Sequence, residues 1–556
     1  MYADNLSFEH KHFNAMDFGS YGLGSTMLLA GNPVMRTNTA INWGLQSLEL
    51  SMGTQINPQQ RTGHIDQISK IEREELIRLA KLNRINLSLH SSHHCVAGGQ
   101  GNQISENARL NAIREHKKVI DFADQIGSSM KQKHIPVTIH SVEQVPGNPD
   151  PQNFLFAVNR ETGGLKTFEK KDVMYSKEHL INMGLKPGKD FIETGNKGVY
   201  TVLPDGFLKI ENREAQENLE HARAMASYHS DIYEQQILGM IRATKEDLRS
   251  EMGRKRIFEE AKKKRMDGLI QSLHNYEVHK KREERTMAEL SNLERKHVDK
   301  QGQLKMFDKT DNFAREKAKK SFIELGMEAY SKPSKPMIVI EQFGPDYALG
   351  NPKQTAELVK DVRRGLTKEL MKKKGLSRNK AQKEANNIVG MNYDIGHANM
   401  WKKYGKTDKE ILSEIDEIYP IVKYVHISDN FGDHDTHLPT GWGNAPVKEA
   451  MEKLKKKGWK GRPMLETWGV PEYGANAFGV SQSLYGLNAN LIQGGANWEM
   501  AGGTYFETGY AFTTGPIFPD VHFQTYGAGF SNLPYSVGGK LGGGRPGEKF
   551  SGTPMS

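Results

Sequence analysis

The chain has 556 residues, 37% of them hydrophobic, with a net charge of +9 and a pI near 9.1. That content supports a large core in more than one domain and excludes a fibrous or disordered chain. The single cysteine, Cys95, excludes an internal disulfide framework and fits a reducing compartment. The opening MYADNLSFEHKHF has no apolar signal core, and no run of about 18 apolar residues occurs, so a cytoplasmic protein without a membrane span is expected. The modest positive charge permits a polyanionic partner without requiring one.

Taken in order, the first part alternates strand-like and helix-like segments. After a Gly-rich opening, strands are expected near Gly24 to Leu29, over Ser47 to Met52, over Ile85 to His90 and over Val137 to His140. Amphipathic helix patterns lie between them, around Ile68 to Leu82 and from Glu106 to Ile126. Strand and helix at this spacing predict a parallel sheet with crossover helices. Two of these strands end in histidine.

At Pro146 the pattern stops. Residues to about Asn212 read as a small β-rich module, with NRETGGLKTF and LPDGFLKI as hairpin signals. From Asp205 to Lys332 there is no proline, and the stretch is dense in Glu, Lys, Arg, Gln, Ala and Leu. Such composition predicts long helices, an antiparallel pair or a short coiled coil. Their mixed charge reads as a solvated surface, with Lys262-Lys263-Lys264-Arg265 leaving a protein or nucleic-acid partner open.

From Pro336 the alternation resumes with strands over Met337 to Phe343, over Gly390 to His397, from Tyr424, and over Pro463 to Gly469. Helices are expected over Thr355 to Lys374, Lys409 to Ile418 and Val447 to Lys457. Eight strands with helices between them are the pattern of a (β/α)8 TIM barrel. The predicted division is residues 1–148 for strands 1 to 4, 149–332 for an insertion of a β module and long helices, 333–470 for strands 5 to 8, and 471–556 for a Gly-rich C-terminal extension. That last segment carries no Lys or Arg between Arg462 and Lys540, a composition suited to a covering arm.

The stretch YVHISDNFGDHDTH, Tyr424 to His437, turns from a β-branched run into a loop crowded with imidazole and carboxylate. These are ligands that zinc and manganese prefer, and Asp435-x-His437 puts two of them on one side of an extended segment. A barrel gathers the C-terminal ends of its strands on one face. There the third strand ends at His90, the fourth at His140, and the fifth carries Glu341. The sixth carries Asp394 and His397, the seventh reaches His426, and the eighth carries Glu466. Six consecutive ends of metal-ligand type point to a metal site.

These motifs resemble the xylose isomerase-like barrel superfamily, and within it the endonuclease IV family of metal-dependent abasic-site endonucleases. The resemblance implies a trinuclear zinc centre: His90, His140 and Glu341 on one ion, Glu341 bridging to a second held by Asp394, His426 and Glu466, and a third on His397, Asp435 and His437. It also implies hydrolysis of DNA at abasic sites, the zinc ions lowering the pKa of a bridging water for in-line attack on phosphorus. Glu341 and Glu466 are the candidate catalytic carboxylates. The similarity covers residues 20 to 146 and 336 to 469. It departs from the family in the long insertion, expected on the catalytic face, and after His90, where SSHHCVAGGQGNQ lacks the family's aromatic and offers His93 and His94 as rival ligands.

A second expectation is a sugar isomerase or epimerase of the same superfamily, acting on a small sugar. One Mn2+ or Mg2+ would sit on Glu341, Asp394, His426 and Glu466, the two glutamates moving protons on either side of a sugar carbon. The third is a scaffold that kept the barrel without its activity.

Overall fold

The computed structural model describes residues 24–467, apart from 29–31, 43–45, 55–58, 60–61, 197, 242–243 and 300–301. The predicted C-terminal arm, 471–556, lies outside the described residues. The chain divides into two compact units, one of residues up to Pro149 together with those from Ala314 onward, the other of Asp150–Phe313.

The first unit is a closed barrel of eight parallel strands in sequential order: β1 (Gly24–Leu28), β2 (Ser47–Ser51), β3 (Asn86–His90), β4 (Pro136–His140), β5 (Met337–Glu341), β6 (Val389–Asp394), β7 (Val422–Ile427) and β8 (Arg462–Leu465), with β1 closing on β8. Every residue of β2, β4 and β6 is buried, as expected of strands covered on both sides. Leu48, Leu50, Leu87, Leu89, Val137, Ile139, Ile338 and Ile340 alternate with the inward-facing set and pack outward beneath the helices. Inside, Val339, Tyr424 and Met464 form an apolar plug, with the Tyr424 hydroxyl 2.5 Å from Ser88 Oγ. Two residues further along the same strands the inward positions become Glu341, His426 and Glu466. The register pairs Glu341 with His140 and Asp394 with His426, so these side chains share one layer above the plug.

The surrounding helices follow local rules. Helix α2 (Lys70–Leu82) starts with a Ser69/Glu72 capping box, α5 (Pro352–Lys374) with an Asn351/Gln354 box and proline in its first turn, and α7 (Asp408–Ile418) with a Thr407/Glu410 box. Between α5 and α7 runs α6 (Arg378–Ile388), which the sequence reading omits. Helix α1 (Pro33–Asn42) precedes β2, α3 (Glu106–Met130) precedes β4 and α8 (Val447–Lys456) precedes β8.

Helix α4 (Thr310–Ser331), placed in the insertion by the sequence reading, belongs to the barrel unit from Ala314 on. Ser321 there donates to the Val96 carbonyl at 2.7 Å and accepts from buried Arg109 of α3 at 3.0 Å, while Phe322 and Leu325 are fully buried.

In the second unit, NRETGG makes the turn of a hairpin joining Phe154–Asn159 and Leu165–Glu169, with Phe307–Lys309 along its other edge. LPDGFLKI is not a hairpin. Pro204 opens the helix Pro204–Met240, its fixed φ and missing N–H suiting a first turn. That helix runs antiparallel to Asp267–His297, tied by Arg223 to Glu294 at 2.6 Å and Ser230 to Glu283 at 2.5 Å, over a core of Ile237, Ile257, Leu269, Leu273 and Tyr276.

Candidate metal centre

The strand ends bring their ligand types into three adjoining groups. In the first, Glu341 Oε2 lies 3.2 Å from His90 Nε2 and 3.5 Å from His140 Nε2. In the second, His426 Nδ1 lies 2.8 Å from the other oxygen of Glu341, 2.6 Å from Glu466 Oε2 and 3.8 Å from Asp394 Oδ2. In the third, Asp435 Oδ2 lies 3.0 Å from both His397 Nε2 and His437 Nε2. Glu341 thus gives one oxygen to each of two neighbouring groups. His397 is not on the strand, as the sequence reading has it. Asp394 ends β6 and caps the short helix Ile395–Asn399, accepting from the His397 N–H at 2.6 Å, so His397 projects from a helical turn.

Every one of the five histidines has its other nitrogen committed. His90 Nδ1 meets the Ser91 carbonyl at 2.9 Å, His140 Nδ1 the Glu143 carboxylate at 3.0 Å, His397 Nδ1 the Gln342 carbonyl at 2.9 Å, and His437 Nδ1 the Glu466 carbonyl at 3.2 Å. His426 is reversed, with Nε2 against Glu49 Oε1 at 2.8 Å and Nδ1 facing the cluster. Acceptors on one side orient each ring and aim its other nitrogen at the carboxylates, the arrangement of metal-binding histidines.

The carboxylates answer to the same test. Glu341 Oε2, Asp394 Oδ2, Glu466 Oε2 and Asp435 Oδ1 are buried with no hydrogen-bond partner in the protein. Several lie close to ring nitrogens without the alignment of a hydrogen bond. Leaving such oxygens bare is costly, and a divalent cation satisfies them, so the residues fit metal ions.

Electrostatics show how tightly charge is packed. Burial opposes charge on His90, yet Glu341, with help from Glu49 and Glu466, pushes its pKa up to about 9. His437 rises to about 9 in the same way, burial being outweighed by Asp435. His426 and His397 also rise well above the ordinary histidine value against burial, through Glu341 and Glu466 for the first and Asp394 and Asp435 for the second. Burial raises Asp394 to about 6, helped by Glu341 and Glu466, whereas in Glu466 His426 overrides burial and lowers it to about 2.

The rest of the motif has other work. Asp429 accepts the N–H groups of Asn430, Gly441, Gly443 and Ala445 and so gathers the loop that presents Asp435 and His437. Asp433 and His434 pair with each other in solvent. Of the rival histidines, His94 turns away to Ser92 Oγ at 2.8 Å, and His93 meets Glu143 at 2.9 Å, leaving His90 to face Glu341. Sequence reasoning overlooked Glu49, Glu143 and Gln342. A fully buried glutamate between leucines in SLELS was a usable signal for Glu49, because such carboxylates are almost never buried unpaired.

Residues 378–485 match the family model described as xylose isomerase-like TIM barrel. An uncharacterized protein of Methanocaldococcus jannaschii is 37% identical over 78 residues, 14% of this chain and 25% of that protein, so the chain spans a quarter of that relative's length. Solved structures similar to it include a D-tagatose 3-epimerase-like protein at 12% identity, covering 84% of this chain and 95% of that one with a TM-score of 0.38. Another is a D-psicose 3-epimerase with D-tagatose from Clostridium cellulolyticum H10 at 10% identity, covering 88% and 98% with a TM-score of 0.36. Likeness at these levels carries no argument about reaction. Part of the chain therefore matches the xylose isomerase-like family model, and the eight parallel strands close in sequence as a TIM barrel.

Proposed function

We propose that the protein is a metal-dependent phosphodiesterase of the endonuclease IV type, holding three zinc ions and acting on DNA at abasic sites. The observation that carries this reading is that Glu341 gives one oxygen to His90 and His140 and the other to His426, beside a further group of His397, Asp435 and His437. A single-ion enzyme needs four of these residues. It would leave His90, His140, His397, Asp435 and His437 as an aimed set without an ion.

His90, His140 and Glu341 would hold one ion, Glu341, Asp394, His426 and Glu466 the second, and His397, Asp435 and His437 the third. Ions held there supply Lewis acidity that lowers the pKa of water and offsets charge on phosphate oxygens. The protein's own part is to fix the ligands. Glu49, Glu143 and three backbone carbonyls hold the rings, and the apolar plug closes the barrel floor against water. The net charge of +9 suits a polyanionic substrate.

A second reading has its own support. Glu341, Asp394, His426 and Glu466 form a complete, fully enclosed group for one Mn2+ or Mg2+, and the matched family is named for an isomerase. Glu341 and Glu466, which both meet His426 Nδ1, would then move a proton between adjacent carbons of a small sugar. Metal content by mass spectrometry on protein purified without added metal, with an assay on a duplex carrying one abasic site, separates the two. Three zinc ions and cleavage beside the lesion support the nuclease. One ion and an intact duplex refute it in favour of sugar chemistry.

A further inference from the structure

A sixth histidine stands beside the five ligands and is not used by the proposed centre. His93 Nδ1 lies 2.9 Å from Glu143 Oε2, the same oxygen that His140 Nδ1 meets at 3.0 Å. One carboxylate oxygen thus takes an N–H from each ring. In the neutral ring each Nε2 is left with a lone pair pointing away from Glu143.

The two rings differ in what that lone pair meets. His140 Nε2 faces Glu341 in the first ligand group. The His93 side chain is half exposed, and among the described residues no carboxylate pairs with its Nε2. Its ring sits 4.8 Å from that of His140 and 6.1 Å from that of His90, and the backbone N–H of His93 donates to Thr54 Oγ1 at 3.2 Å, so it is held at the rim of the first group. A solvent-facing acceptor beside a metal group pairs with water or with a ligand that has a proton to share. A phosphodiester has none, whereas a sugar hydroxyl does.

We propose that His93 is a substrate-contacting residue whose Nε2 accepts a hydrogen bond from a sugar hydroxyl, and that this contact selects an abasic deoxyribose, which carries a hydroxyl at C1′, over a nucleotide, which carries its base there. The inference rests on the nuclease reading and names the feature of the lesion that the chain recognises. Glu143 is the positioning residue behind it.

The test uses the full chain and two duplexes, one with a natural abasic site and one with the tetrahydrofuran analogue that lacks only the C1′ hydroxyl. Cleavage kcat/KM is measured on each, with binding of each by fluorescence anisotropy without added metal and zinc content as a check on folding. Wild type is expected to favour the hydroxyl-bearing site by about fivefold to tenfold, the worth of one hydrogen bond. His93→Ala and His93→Phe should bring that ratio to about one with zinc content kept, and His93→Gln, which retains an acceptor, should restore part of it. A ratio unchanged by the substitutions, or no preference in wild type, overturns the inference while leaving the nuclease reading in place. A wild type that binds and cuts neither duplex overturns the nuclease reading itself.

Discussion

Glu49 offers the sharpest test of the ligand geometry, because it touches the centre through one atom only. Its Oε1 accepts from His426 Nε2 at 2.8 Å, and its Oε2 accepts from Thr138 Oγ1 at 3.0 Å, all within the sealed barrel interior. That contact holds the ring with Nδ1 toward Glu341, Asp394 and Glu466. Truncation in Glu49→Ala frees the ring and orphans a buried N–H, and the loss of such an outer partner costs about 10-fold to 100-fold in metal affinity, or about 1.4–2.7 kcal/mol. Glu49→Gln keeps an acceptor without the charge, and since a charged acceptor is roughly twice as strong as a neutral one, about 1 kcal/mol or fivefold is expected. The larger loss should fall on one ion, because His426 is the ligand that Glu49 hydrogen-bonds. Titration of metal-free protein with zinc against a chromophoric chelator resolves the stepwise affinities. Equal weakening of all three steps, or no change in any, would refute the claim that Glu49 orients one ligand of one site.

Glu341→Gln should reduce zinc from three ions to one, because its two oxygens serve two groups, whereas Asp435→Asn should remove only the ion on His397 and His437; mass spectrometry of the purified variants decides. Burial lowers the pKa of His116 from 6.5 to about 4, where it bridges Ser91 Oγ and the His94 carbonyl. The unfolded chain therefore takes up a proton below pH 6.5 that the folded chain refuses until about pH 4, and this residue's share of stability is full above 6.5 and falls by about 1.4 kcal/mol per pH unit through that window. Denaturation midpoints of His116→Gln should fall less steeply with acid than wild type, and parallel slopes would sink the assignment. Deleting residues 150–313 with a short linker should leave a folded, metal-binding barrel, while deleting 150–332 should not, because it removes Ser321, which meets Arg109 of α3 and the Val96 carbonyl, and the buried Phe322 and Leu325. Circular dichroism and zinc content of the two products tell them apart, and a folded 150–332 deletion would contradict the packing of α4.

The barrel was legible in the sequence because its signals are local. Strand-like and helix-like segments alternate along both halves, and the strand ends repeat a ligand residue type that a solvated loop has no use for. The two β-rich hairpin signals show the limit: NRETGG turned, while LPDGFLKI became a helix start, since proline followed by Asp and Gly suits either fate until the following residues pack.

Chain order alone determined that His90, His140, Glu341, Asp394, His426 and Glu466 stand at consecutive strand ends, because a parallel barrel leaves them nowhere else to go. Tertiary structure decided what each does there. Glu49 is a single letter in a buried strand until closure sets it against His426, far along the chain, and the choice between His90 and its neighbours depends on which ring meets Glu341 and which meets Glu143. Helix α4 reads as part of a charged helical insertion until Ser321 meets Arg109 of α3 and the Val96 carbonyl. Periodicity and residue type are written within a few residues, whereas the direction of a lone pair is fixed by contacts that only the closed barrel brings together.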